Sequence, residues 1–350
     1  MRKKLLSSDV FRGSVYGTHH PLNIARVWPA IDICRAEGWL SDDDYQHVMP
    51  MPPAQLAQFH DPDYVTQLAL AQHHQTLPDE ARQTFQIGVG VNPIFPEVYD
   101  RPATAAQASH EGAQLLLNGT YDVVYNPSGG THHGQYDKAH GFCFVNDPVI
   151  ALLTFLRHST ARVLYIDIDA HHADGVQDWL SHEAQLRLIS IHQGSAWPRT
   201  GASNDRGNGH ARNYALNDGA GDSELLEVIT TKVADELTTF DPAYIVIQAG
   251  ADGHRDDPQS KLNYSLSGYW QAIDFILSYR KPALILGGGG YNPYITACAW
   301  AGIWAMLQGV DVEKARLSLE SQSLLRHLTW AHRMGQHPPE RWFTHLGDGI

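Results

Sequence analysis

A chain of 350 residues with 43% hydrophobic content is long enough to bury a large core and lies within the size of one large α/β domain, so a single domain over 1–350 is expected. A formal charge of −13, spread without long runs of one sign, argues against a phosphate-backbone partner such as nucleic acid and favours cationic ligands. Cys34, Cys143 and Cys298 lie far apart without CxxC spacing, the basic start precedes only two apolar residues, and no apolar run reaches membrane-spanning length; a reducing cytoplasm is the expected compartment.

In chain order, the first helical pattern that places a motif is the Ala/Gln/Leu-rich stretch 104–117, which stops at Asn118-Gly119. A short β-rich run at 122–126 leads into a polar segment, 126–141. The run 163–168 leads into 169–175, and 186–191 into 192–213. A helix is expected over 223–237 behind a cap at Asp222 or Ser223, followed by a strand at 244–248 and a polar segment at 250–260. The last strand, 283–286, ends in the glycine run 287–292, and Pro293 is placed to open a helix over 294–307 ahead of Gly309. The tail from about 321 carries Trp330, Trp342 and Phe343, which should pack it back onto the domain.

Strands alternating with helices predict an α/β fold with a central, mostly parallel β-sheet flanked by helices. In such a sheet ligands bind beyond the carboxyl ends of the strands. The five polar segments all fall there and should form one mouth.

The segment 165–175 begins as an apolar strand and ends in a burst of Asp and His. If the strand continues that far, Asp169 and His171 project to one side as a chelating pair. A carboxylate and an imidazole suit Zn²⁺, whose catalytic sites take three protein ligands and leave one position open. Taken alone, Asp-x-His also fits a capping aspartate beside a surface histidine. The five Asp and His groups between Asp167 and Asp174, costly to bury unpaired, weigh against that. Asp252, directly after the strand at 244–248, is the third ligand chosen; a helix cap or turn is its competing role. Asp256 and Asp257 are nearby alternatives, but they lie further out, beside Pro258, in what reads as ordinary loop.

His132 and His133 sit in a glycine-flanked loop after another strand, where an imidazole can act as base toward an activated water. Asp167 and Asp174 are not needed as ligands and could each hold one of these rings in a fixed tautomer. The four glycines 287–290 let the backbone bend and place the Tyr291 phenol over the mouth as a donor to an oxyanion. A phosphate loop is disfavoured there, because the spacing matches neither G-x-G-x-x-G nor the P-loop and no lysine follows.

Together these segments resemble the histone deacetylase superfamily, which includes acetoin-utilisation proteins and acetylpolyamine amidohydrolases. The resemblance runs in order from His20-Pro21 and Arg26 through 99–104, 130–133, 141–146, 167–176, 190–192 and 250–252 to 287–291. It implies an arginase/deacetylase-like fold and a zinc-dependent amide hydrolase acting on N-acyl-lysine, in a protein or peptide, or on an acylated small amine such as an acetylpolyamine. It further implies one zinc on Asp169, His171 and Asp252, His133 as general base and acid, His132 as electrostatic support, and Tyr291 as oxyanion donor. His132 would pair with Asp167, and His133 with Asp174. Gly141, Phe142 and Cys143 would line an acyl-lysine tunnel, Asp100 would hold substrate at the rim, and Arg26 would lie along an inner channel. Potassium would bind through Asp167, Asp169, His171, Ser190 and Ile191, with a second site involving Tyr214.

Two rim positions depart from the family's commonest pattern: Trp197 stands where phenylalanine is frequent, and Gln259 where protein deacetylases tend to be apolar. Two other readings remain. The run 169–174 superficially resembles the Asp-Ala-His-x-Asp of two-manganese ureohydrolases, but with one additional residue and no use for the tandem histidines or Tyr291. A non-catalytic acyl-lysine-binding relative would be expected to lack at least one of the residues present here.

Overall fold

The computed structural model describes residues 1–17 and 20–348. Its strands are β1 (Lys3–Ser7), β2 (Tyr45–His47), β3 (Val123–Asn126), β4 (Val163–Asp167), β5 (Leu186–Gln193), β6 (Ala211–Leu216), β7 (Tyr244–Gln248) and β8 (Ala283–Leu286). They form one eight-stranded sheet of order β2-β1-β3-β8-β7-β4-β5-β6, in which every neighbouring pair is parallel. This is the expected α/β architecture.

The alternation along the central strands explains why they are buried on both faces. Leu164, Ile166, Ile245, Ile247, Ala283 and Ile285 enter one core, beneath the helices Val27–Ala36, Leu266–Leu277 and Pro293–Leu307. Val163, Tyr165, Val246, Leu284 and Leu286 enter the other, beneath Asp100–Leu117 and Asp147–His158. Each buried aliphatic side chain of this size contributes about 1.5–3 kcal/mol, so the sheet is anchored mainly from its middle. The register aligns Asn126 with Leu286, Leu286 with Gln248, Gln248 with Asp167, and Asp167 with Ser190. Four loops that carry the chemistry therefore leave the sheet side by side.

All five predicted strands are present, and three more appear. β2 and β6 are the two edges of the sheet and are only partly buried, so their sequences carry little apolar signal. β1 opens with two lysines, whose ammonium groups reach the carbonyls of Leu307 and Asp43.

Two helices differ from expectation at their ends or middle. The first starts at Asp100, because Pro102 falls in the first turn, where a missing N–H costs no helical bond, and Gln72 Oε1 accepts from the Tyr99 and Asp100 N–H groups at 3.0 and 2.8 Å. The stretch expected at 223–237 begins at Asp222 and contains a π turn, Ile229–Val233. Thr230 and Thr231 donate their hydroxyls to the carbonyls four residues back, which weakens the regular ladder at that point. Among the described residues no helix is long and apolar enough to cross a membrane. The three cysteines are buried and free.

The tail does pack back, burying Trp342 and Phe343. Asp348 then accepts from His254 Nε2 at 2.9 Å and from the Leu266 N–H at 2.8 Å, and Arg255 lies 3.1 Å away. These partners all follow Asp252 in the chain, His254 and Arg255 within three residues of it. Asp348→Ala leaves them without an acceptor and is expected to cost about 1–3 kcal/mol, measured as a lower urea midpoint; an unchanged midpoint would show that the tail is not a clamp.

Candidate active site

β4 ends at Asp167, two residues before the first expected ligand, so Asp169 and His171 do not converge by strand pleating. Carboxylates stitch the following bends instead. Asp167 Oδ1 accepts from the Asp169 N–H at 3.1 Å, Asp169 Oδ1 from the His171 N–H at 3.0 Å, and Asp252 Oδ1 from the Ala170 N–H at 2.8 Å. Asp169 Oδ2 also accepts from Gln248 Nε2 at 2.9 Å and the Gly289 N–H at 2.7 Å.

The outcome is a compact donor set. His171 Nδ1 lies 3.1 Å from Asp169 Oδ1 and 3.0 Å from Asp252 Oδ2, and one donor atom from each of the three residues falls within 4.8 Å of the others. Burial and the neighbouring Asp169 charge push the Asp252 carboxyl above the usual carboxylate range. Two carboxylates and an imidazole crowded out of water are the chemistry of a divalent-cation site, and an N/O/O set of three fits zinc with a fourth position free.

Beside this set stand two His–Asp dyads. His132 Nδ1 is 2.8 Å from Asp167 Oδ2, and His133 Nδ1 is 2.6 Å from Asp174 Oδ1, while the two Nε2 atoms meet at 3.0 Å. Their protonation diverges. Burial opposes charge on His132, but Asp167 and Asp169 outweigh it and raise the ring to about 9; burial and then the His132 charge push His133 down to about 3. Of the two rings, His133 is the one driven toward the neutral form. Asp174, despite its burial, is held well below the usual carboxylate range by His133 and His140.

The floor opens into a cavity of about 870 Å³ lined by His133, His140, Gly141, Phe142, Trp197 and Tyr291, among others. A smaller space of about 40 Å³ continues inward past Tyr16, Arg26, Cys143 and Tyr291. Trp197 is 44% exposed, yet its ring meets His133 at 4.7 Å and His140 at 4.8 Å. Gly141, at φ +53°, has the Trp197 ring against it so closely that any Cβ would collide, which explains glycine there. Phe142 meets the Tyr291 ring edge-on at 6.0 Å. Burial holds the Tyr291 phenol well above its ordinary range, so it stays protonated and able to donate.

Gln259 is exposed and lines the mouth. Asp100 opens its helix and is not among the residues lining either cavity. Ser190 pairs with Asp167 across β4 and β5, and Ile191 pairs with Tyr214 across β5 and β6.

Two residues were missed. His140 places Nδ1 3.3 Å from the second oxygen of Asp174, and its position immediately before Gly141 was the available signal. Asp257, read as ordinary loop, is buried and accepts from the Tyr291 N–H. Nothing in its local sequence distinguishes it from a surface turn, because the partner is 34 residues away.

Comparison with known proteins follows the same outline. A family model described as "Histone deacetylase domain" matches residues 20–307. Histone deacetylase 8 of Xenopus laevis is 34% identical over 262 residues, covering 73% of this chain and 80% of that protein. Histone deacetylase RPD3 of Saccharomyces cerevisiae is 30% identical over 309 residues, covering 85% and 70%. The structure of an HDAC homologue from Aquifex aeolicus superimposes with a TM-score of 0.92 at 28% identity, covering 99% of this chain and 94% of that one. A structure of an HDAC homologue complexed with SAHA gives the same values.

Proposed function

The chain belongs to the histone deacetylase family, and we propose that it is a zinc-dependent deacylase hydrolysing the amide of N-acyl-lysine in a peptide or protein to a carboxylate and a free amine. The observation that carries this reading is the buried Asp169/His171/Asp252 set at the foot of a cavity, with an Asp174-held His133 and the Tyr291 phenol lining the same space.

Zinc bound there supplies Lewis-acid polarisation of the amide carbonyl and acidifies water. The residues of the chain do the rest. His133 Nε2 takes the proton of the attacking water and returns it to the departing nitrogen, while Asp174 fixes its tautomer through Nδ1. His132, kept cationic by Asp167, adds favourable charge. Tyr291 donates to the oxyanion as the carbonyl becomes tetrahedral. Gly141, Phe142, Cys143 and Trp197 wall off solvent, and Gln259 is assigned to substrate at the rim, whereas Asp100, which lines neither cavity, is given no part in binding. Asp167, Asp169, His171, Ser190 and Ile191 would hold a potassium ion, with Tyr214 beside a second.

The charge of the mouth favours a lysine peptide over a polyamine. Its lining includes Gln83, Gln86, Gln135 and Gln259; Asp174 is paired with histidines, and the lining's one other carboxylate, Asp178, is matched in number by its one lysine, Lys138. A polycation would gain little there. Acetyl-lysine peptides are expected to exceed acetylpolyamines in kcat/KM by about tenfold or more, a discrimination of about 1.4 kcal/mol. The check is a hydrolysis panel that also varies acyl length, with metal content measured on the same sample. The reverse ranking would transfer the assignment to small amines. Two manganese ions per chain would contradict the single-zinc site, and a full zinc site without hydrolysis would leave an acyl-lysine-binding module.

A further inference from the structure

A carboxylate is costly to bury unless its oxygens are satisfied, so a buried aspartate outside the metal set and the two dyads calls for a reason. Asp257 is 6% exposed, and both of its oxygens are used. Oδ2 accepts from the Tyr291 N–H at 2.6 Å, and Oδ1 from the Gln259 N–H at 2.9 Å. One side chain thus joins the residue bearing the phenol to a residue of the rim.

The partner segment needs such a tie. Tyr291 follows four glycines, which have the greatest backbone freedom to lose, and Gly288 and Gly290 sit at φ +150° and +144°, a region that side chains rarely enter. On its far side Asn292 caps the helix Pro293–Leu307, accepting from the Tyr294 N–H at 3.2 Å, and its Nδ2 donates to the Asp256 carbonyl at 3.0 Å. The glycines themselves are held, Gly288 and Gly290 through their carbonyls by Arg26 and the Gly289 N–H by Asp169, so the phenol is carried between a tied glycine run and a fixed helix start. The short bond from Asp257 is the contact made to the backbone of Tyr291 itself.

We propose that Asp257 is the positioning residue for Tyr291: its buried, two-bonded carboxyl accepts from the Tyr291 N–H and so fixes the backbone from which the phenol reaches the reacting carbonyl. This rests on the reading of Tyr291 as the oxyanion donor. Asp257 acts through Tyr291 and touches no substrate. Misplacing a catalytic donor by about 1 Å costs on the order of 10²-fold, and loss of a supporting contact on the order of 10–100-fold, so the effect belongs in kcat.

The test is a double-mutant cycle on the zinc-loaded full chain with an acetyl-lysine peptide. Asp257→Asn keeps the shape and one acceptor but presents an NH₂ to the second N–H. It is expected to lower kcat on the order of 10–100-fold with KM within about threefold, and to cost less than about threefold further when added to Tyr291→Phe. Zinc content and thermal melting are measured on each variant, and Asp257→Ala repeats the cycle if the Asn protein does not fold.

An undiminished kcat, or the same factor lost in both backgrounds, would overturn the proposal. Loss of zinc from Asp257→Asn would overturn it too, because the defect would then lie with the metal ligands. A Tyr291→Phe protein with full turnover is a separate result: it would remove the oxyanion role itself, and this inference with it.

Discussion

Purified His171→Ala protein should contain little zinc, and its turnover should fall on the order of 10³-fold or more. The imidazole is the one nitrogen donor of the set, and it lies within 3.1 Å of an oxygen of each carboxylate, so its removal leaves Asp169 and Asp252 facing each other across an unfilled gap. A bound metal contributes several kcal/mol of transition-state stabilisation, and about 4 kcal/mol is a factor of 10³. The backbone should survive, because Asp169 Oδ1 accepts from the main-chain N–H of residue 171, which alanine retains, and Asp169 Oδ2 remains bonded to Gln248 and Gly289.

The second consequence is thermodynamic. An ion that binds only the folded state stabilises it by RT ln(1 + [L]/Kd), about 4 kcal/mol at a thousandfold excess over Kd. The melting temperature of the parent protein should therefore rise with added zinc and fall with chelator, and that of His171→Ala should respond to neither. Stoichiometric zinc by elemental analysis together with undiminished turnover in the variant would remove His171 from the site.

The parts of the molecule that were legible in the sequence are those in which local pattern and tertiary position agree. The central strands carry continuous apolar runs because both of their faces are covered, and β4, β7 and β8 were readable for that reason. The dyads were legible because Asp167 and Asp174 flank the ligand segment and His132 and His133 are adjacent, so the carboxylates had few other uses. The candidate donor set was named on a condition the structure does not meet: the pleat ends at Asp167, and Asx-type bonds, invisible to a period-two argument, turn Asp169 and His171 toward each other. Asp257 could not be found at all. A carboxylate beside a proline reads as a turn, and only the arrival of the glycine loop from β8 supplies the N–H that gives it a function.

Tyr291→Phe removes a single hydroxyl and is expected to lower kcat by on the order of 10²–10³-fold, the cost of losing one oxyanion donor, about 2.7–4 kcal/mol. Little else should change. The ring remains packed in the apolar cluster under the mouth and keeps its edge contact with Phe142. Among the described residues no carboxylate or carbonyl accepts from the phenol, so stability should hold within about 0.5 kcal/mol, the range of substitutions that break no such contact.

Because the bond forms as charge develops on the substrate oxygen, KM should move little, and kcat and kcat/KM should fall together. The competing structural role predicts the opposite division, with a lower melting temperature and a proportionate loss of folded enzyme. Steady-state kinetics on zinc-loaded protein, beside a thermal melt of the same preparation, separate the two. A Phe variant that turns over at the parent rate would mean that the oxyanion is stabilised by the metal and His132 alone.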